Sequence, residues 1–236
     1  MRIQGDRILM LVVGLVCFVS TWLVDQPGFS EEKKSPEGTI SLFNGKDLSG
    51  WYSFIRYNDK TDPLTDPKGI FKVEDGLIHV SGEHFGCLTT HKEYENYRLK
   101  LDFKWGTKKW PPREKAVRDS GILMHVVGPD MVWPKSIECQ IQEHDTGDFY
   151  LVGGTSIQIN GVTESKYKKK SKEAEKPTGE WNTVEVICDG GSITHIVNGE
   201  VVNHGTNASV TKGKIVLQSE GAEIFYRNVE LTPIKK

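Results

Sequence analysis

Alternation with period two recurs along this chain, and no segment sustains a helical period. Tyr97-Arg98-Leu99-Lys100-Leu101-Asp102-Phe103-Lys104-Trp105 alternates strictly, which puts Leu99, Leu101 and Phe103 on one side of a strand. Ser136 to Glu143 repeats the pattern, with Ile137, Cys139 and Ile141 on one side and Glu138, Gln140 and Gln142 on the other. Asp75-Gly76 separates two apolar segments, and so does Asn198-Gly199. Both dipeptides accept the positive φ angles of a two-residue hairpin turn. Further strands are expected at Gly121 to Val127, Trp181 to Cys188, Lys214 to Ser219 and Glu223 to Leu231. Many antiparallel strands joined by hairpins predict an all-β fold, a two-sheet antiparallel jelly-roll sandwich with one sheet curved into a groove.

A length of 236 residues suits one β-rich domain with a short leader. Lys+Arg 30 against Asp+Glu 32 leaves a net charge of -2, which argues against a general nucleic-acid binder. Arg2 and Arg7 precede an apolar run from Ile8 to Val24, the pattern of a secretory signal over residues 1–24. An uncleaved signal anchor is the alternative, and it is the one membrane contact the sequence suggests. A polar linker follows over residues 25–38, and the domain is expected over 39–236. The expectation is export: periplasmic, cell-envelope or secreted.

Cys87, Cys139 and Cys188 remain beyond the leader, an odd count that excludes complete intramolecular pairing. Each sits in an apolar strand pattern and reads as a small buried hydrophobe. The lysine-rich run Lys166 to Lys176 reads as a solvated loop. Gly106 to Asp119 is irregular, carries Trp110-Pro111-Pro112, and leads straight into the strand that begins near Gly121.

The row Glu138, Gln140, Gln142 suits the floor of a groove for a ligand with many hydroxyls, such as a sugar. A glycosidase that works through two carboxyl groups needs a partner for Glu138. On this strand Gln140 and Gln142 stand where that partner would be.

An ordered set of motifs then resembles a known family. Ser41-Leu42-Phe43-Asn44-Gly45-Lys46-Asp47-Leu48-Ser49-Gly50-Trp51 looks like its opening motif. Val73-Glu74-Asp75-Gly76-Leu77, the Tyr94 to Phe103 strand, Asp119-Ser120-Gly121-Ile122 and Glu138-x-Gln140 follow in the family's order. So do Gly179-Glu180-Trp181-Asn182, Gly213 to Gln218 and Tyr226-Arg227-Asn228-Val229. Over Thr39 to Leu231 the chain resembles the 3-keto-disaccharide hydrolase domain family. The resemblance implies a concanavalin A-like jelly roll, export from a bacterial cytoplasm, and action on an oxidised disaccharide or glycoside carrying a C3 ketone. Two positions depart from the family: Asp119 where Asn is common, and His125 where Arg is common.

A 3-keto sugar needs less of the protein than an ordinary glycoside. The ketone acidifies the hydrogen on C2, one base removes it, the enolate expels the group at C1, and water then adds. Glu138 is the candidate base. His125 is a second base, or an acid toward the leaving group. Lys104 is a candidate stabiliser of the enolate oxygen. A divalent metal ion in that role would take Glu138, His125 or His144 as ligands. Gln140, Gln142, Asp119, Trp110 and Gln218 are candidate substrate-binding residues. The rival reading is a non-catalytic, lectin-like glycan-binding module, as in laminin G-like relatives of this architecture, since one scaffold hosts both. A strongly shifted pKa at Glu138, or a buried contact between Glu138 and His125, would favour the enzyme, and an open, shallow, aromatic-lined groove with no converging ionisable groups would favour the binding module.

Overall fold

A computed structural model describes residues 38–57 and 59–235. The expected signal and most of the linker lie outside the described residues. Seventeen strands follow in chain order. The first five are β1 (Ile40–Ser41), β2 (Trp51–Ile55), β3 (Phe71–Glu74), β4 (Leu77–Val80) and β5 (Gly86–Thr90). Next come β6 (Tyr97–Lys109), β7 (Asp119–Val127), β8 (Lys135–Gln142), β9 (Phe149–Val152), β10 (Ile157–Ile159) and β11 (Val162–Glu164). The chain continues through β12 (Tyr167–Lys168), β13 (Asn182–Asp189), β14 (Ser192–Val197), β15 (Glu200–Gly205), β16 (Lys214–Ser219) and β17 (Ala222–Pro233). Among the described residues no helix is long and apolar enough to cross a membrane.

The strands form a two-sheet antiparallel jelly-roll sandwich. One sheet runs β15-β14-β13-β6-β17-β4-β3, with β1 paired to β17, and the other runs β12-β9-β8-β7-β16-β5-β2. The hairpin turns are where the sequence puts them: Asp75 and Gly76 have φ of 51° and 76°, and Asn198 and Gly199 have 50° and 87°.

Alternation decides which face each sheet hides. Leu99, Leu101 and Phe103 of β6 are fully buried, as are Ile137, Cys139 and Ile141 of β8, all in one apolar core between the sheets. Burying each large side chain contributes about 1.5–3 kcal/mol, so a one-residue slip that turned these residues outward would be strongly opposed. A polar bridge crosses this core. Ser120 donates to the Gln218 carbonyl at 2.9 Å, and its hydroxyl meets the Tyr226 hydroxyl of the opposite sheet at 2.7 Å. The three cysteines are free and buried.

The lysine-rich run is less solvated than its composition suggests. It contributes β12, and Lys170 is buried, its ammonium donating to the His144 carbonyl and its amide to Asp148 at 2.8 Å. The alkyl stem is buried while the charged end finds a backbone acceptor, which composition does not reveal.

Candidate functional site

Three rows of side chains cross the outer face of the β2–β12 sheet, fixed by strand register. One row is Tyr52, Thr89, Val216, Leu123, Glu138 and Tyr150. The next is Phe54, Cys87, Gln218, Gly121 and Gln140. Beyond it lie Asp119, paired with Gln142, and Glu220, which continues the alternation of β16 two residues after Gln218. The polar row of β8 therefore opens onto a wider polar patch built by β7, β8 and the end of β16.

Gly121 sits at the centre. A Cβ there would collide with Glu138 Oε1 and with Gln218 Oε1, so the glycine is the space in which the carboxyl and the amide meet. Its side-chain-free position on β7 leaves room for side chains from the flanking strands β8 and β16.

Three carboxyl groups share this face. Asp119, Glu138 and Glu220 are each about 5% exposed, and the charges of Asp119 and Glu220 both act on Glu138, as that of Asp119 does on Glu220. Burial raises Glu138 well above the usual carboxylate range, and the charges of Glu220 and Asp119 push it further. Burial also lifts Glu220 to about 7, with Asp119 adding to the rise while the Trp133 indole, Arg113 and Arg56 oppose it. Asp119 is lifted to about 6 by burial, against the pull of Arg113 and Gln142. Like charges held together away from water cannot all ionise, so the cluster retains protons near neutrality.

Two of the partners of these acids, Arg113 and Trp133, come from loops, and a third, Gln142, from β8. Arg113 forms an ion pair with Asp119, and Gln142 donates to Asp119 Oδ2 at 2.8 Å. Trp133 donates its indole N–H to Glu220. The Arg113 loop is docked on the turn after β16: the Trp110 amide donates to the Gly221 carbonyl at 2.8 Å, and the Trp110 indole to the Ser81 carbonyl at 2.9 Å. The irregular stretch before Asp119 thus delivers a cation to the acids.

Several polar atoms here are buried without a protein partner: Asp119 Oδ1, Arg113 Nε, Gln140 Oε1, and both Gln218 Nε2 and Oε1. Leaving such atoms unpaired costs about 1–3 kcal/mol each, so their concentration on one face marks a place for a polar ligand or water.

The structure brings together Glu138, Asp119, Gln140, Gln142 and Gln218, and separates them from the other candidates. His125 is fully buried behind the face, its ring edge-on to Tyr97 with centroids 5.7 Å apart and its Nδ1 3.2 Å from the Val210 carbonyl. A bulge between Met124 and Val127, with His125 at φ 53°, breaks the alternation that would have aimed it at the groove. Burial lowers its pKa to about 4, so the imidazole is neutral.

Lys104 lies on the outer face of the other sheet, its ammonium 5.0 Å from the Trp181 ring centroid and 5.7 Å from that of Phe225. It alternates with the buried Phe103 and Trp105, so it points away from both core and groove. His144 sits in the turn after β8, exposed, its amide donating to Glu175. The proposed ligands Glu138, His125 and His144 therefore do not meet, and among the described residues no three His, Cys, Asp or Glu side chains are placed to hold a metal ion. Trp110 braces the Arg113 loop through Ser81, one step removed from the acids.

Sequence reasoning missed Glu220 and Arg113. Glu220 was legible, because it shares the period-two face of Gln218. Arg113 carries no periodic signal, since its placement depends on how a loop docks.

The chain belongs to the 3-keto-alpha-glucoside-1,2-lyase-like domain family, whose model matches residues 38–232. That family makes it a glycosyl hydrolase-like, carbohydrate-active domain. Similar solved structures share its fold. A protein from Parabacteroides distasonis ATCC 8503 assigned as a glycosyl hydrolase is 24% identical, with a TM-score of 0.61 over 86% of this chain and 97% of that one. The beta-glucanase of Bacillus licheniformis is 14% identical, with a TM-score of 0.53 over 85% of this chain and 100% of that one. The carbohydrate-binding module CBM66 of Bacillus subtilis is 10% identical, with a TM-score of 0.51 over 81% of this chain and 99% of that one. No curated protein sequence matches the chain.

Proposed function

We propose that the domain cleaves 3-keto glycosides by removing the proton on C2 and expelling the group at C1. The observation that carries this reading is the convergence of Glu138, Asp119 and Glu220, with raised pKa values, around unpaired amide and guanidinium atoms. A carboxylate that holds its proton tightly is, once ionised, a strong base, and a carbon acid needs one.

Glu138 in its ionised form takes the C2 proton. The electron pair moves to the C3 oxygen as an enolate, where the side-chain amides of Gln140 and Gln218 offer hydrogen-bond donors. Collapse of the enolate restores the ketone, forms the C1–C2 double bond and breaks the C1–O bond. Glu220, with a pKa of about 7, is protonated often enough to give the leaving oxygen its proton. Water adds across the double bond to complete hydrolysis. Arg113 keeps Asp119 ionised more than burial alone would allow, and Asp119 in turn holds Gln142.

The same cluster weighs against a purely binding module, which has no use for three acids that disfavour one another's charge. The basic, apolar N-terminus supports export to the periplasm, envelope or medium, where such a sugar would be met.

The test is incubation of the purified protein with a 3-keto glucoside bearing a chromogenic leaving group, with and without a chelator. Release that vanishes on Glu138→Gln supports the reading, and the chelator arm reports any metal requirement. Release unaffected by that substitution overturns the role of Glu138. Absence of release, with binding to an unmodified glycan, supports the binding module instead.

A further inference from the structure

The groove face carries a second compartment beside the acids. A cavity of about 490 Å³ opens against β2, lined by Phe54, Arg56, Tyr57, Met131, Val132 and Trp133 among others. Phe54 lies in the same cross-strand row as Gln218 and Gly121, so the cavity opens on the same face as the acids. The wall between the two compartments is the segment joining β7 to β8. It is held down by the Cys87 thiol, which donates to the Val132 carbonyl at 3.3 Å, and by the Tyr52 hydroxyl, which donates to Asp130 at 2.7 Å.

Trp133 belongs to both sides. Its N–H donates to Glu220, while its ring packs edge-on to Phe85 at 6.0 Å with the Arg56 guanidinium 5.2 Å away. The proton donor for the leaving oxygen and an apolar aromatic wall are therefore the two ends of one contact. A sugar ring seated on the amides would send its C1 substituent past Glu220 toward this wall.

Building on the reading of the site given above, we propose that the cavity is the leaving-group subsite, and that the preferred substrates are 3-keto glycosides of planar, apolar aglycones such as phenols, in preference to oxidised disaccharides. Its volume suits a one- or two-ring aglycone. A second sugar would find partners in Arg56, Asp59 and Thr61 but leave its other hydroxyls facing Phe54, Ile55, Met131 and Val132, which costs free energy. An aryl ring stacks on Trp133 and displaces water from those side chains.

The experiment has two arms on the intact protein. The first measures binding of unoxidised phenyl β-glucoside and methyl β-glucoside by calorimetry, which needs no turnover. The second measures KM for 3-keto phenyl and 3-keto disaccharide substrates. Tighter binding of the phenyl compound, weakened about tenfold by Met131→Ser or Phe54→Ser, is expected. Met131 is 45% exposed, so its substitution leaves the fold intact should Phe54→Ser disturb β2. The same variants raise KM for the aryl substrate more than for the disaccharide. Equal binding of phenyl and methyl glucosides, or aryl binding that neither variant weakens, overturns the subsite. Aryl binding without turnover of any 3-keto substrate upholds the subsite and overturns the reaction.

Discussion

Glu138 and Gln218 reach toward each other over Gly121 from the strands on either side, and neither would fit beside a side chain at that position. Gly121→Ala should therefore displace both groups while leaving β7 in place, since its hydrogen bonds do not involve the added methyl. Turnover is expected to fall about 100-fold, because ångström-scale misplacement of reacting groups costs on that order. Steady-state kinetics and a circular dichroism spectrum on the same sample check this, and an unchanged kcat would detach Gly121 from the site.

Replacing Glu138 with Gln keeps the shape and removes the base. A loss of between about 100-fold and 10,000-fold in kcat is expected. Stability should rise with the same substitution at neutral pH, since a buried group resisting ionisation is replaced by a neutral one. Urea unfolding of both proteins at pH 7.5 reads this directly. A destabilised variant would show that Glu138 is a structural partner first.

Asp119 and Glu220 also set the pH dependence of stability. Their folded pKa values, about 6 and about 7, lie above the ordinary values of 3.8 and 4.5. Between the unfolded and folded values the native state binds more protons than the unfolded chain, so stability falls as pH rises through that window. Glu220 alone contributes a loss of about 2–3 kcal/mol from pH 5 to pH 8. Below pH 4 the trend reverses, because Glu143 and Glu223, held low by backbone and side-chain hydrogen bonds that outweigh their burial, must then be protonated. A urea midpoint higher at pH 5 than at pH 8 is the expected outcome, and Glu220→Gln should flatten the difference.

Arg113 opposes the rise in both acids that it faces. Arg113→Ala should move the alkaline limb of the kcat/KM profile, which the acid Glu220 sets, upward by about one pH unit. A profile that keeps its shape and simply drops in height would mean that Arg113 holds the loop rather than the charge.

His125→Asn keeps a residue type tolerant of positive φ and removes the ring packed on Tyr97. Stability should fall by about 1–3 kcal/mol with kcat within about twofold of the parent. Loss of activity without loss of stability would return His125 to the chemistry.

Legibility in the sequence followed the period of the strands. Leu99, Leu101, Phe103, Ile137, Cys139 and Ile141 face the core because alternation runs unbroken through β6 and β8. The same unbroken pattern aimed Glu138, Gln140, Gln142 and Gln218 at the groove. The alternation fails within β7, where a bulge turns His125 inward, and no local signal announces it. Lys104 sits inside β6, which continues past it to Lys109, and which of two sheets a strand joins is a matter of topology. Arg113 and Trp133 reach the acids from loops, whose docking depends on contacts far apart in sequence.

The hydroxyl pair of Ser120 and Tyr226 has a role beyond filling hydrogen bonds. Apolar alternation punishes a strand that shifts by one residue, but a shift of two returns every side chain to its proper face and leaves the core nearly as oily as before. A polar pair buried between the sheets opposes that degeneracy, because a two-residue shift would part the two hydroxyls and leave them without each other. Ser120 lies between Asp119 and Gly121. The buried pair thus works as an index mark, choosing among alignments that hydrophobicity alone cannot tell apart, and the residues it indexes are those around which the acids gather.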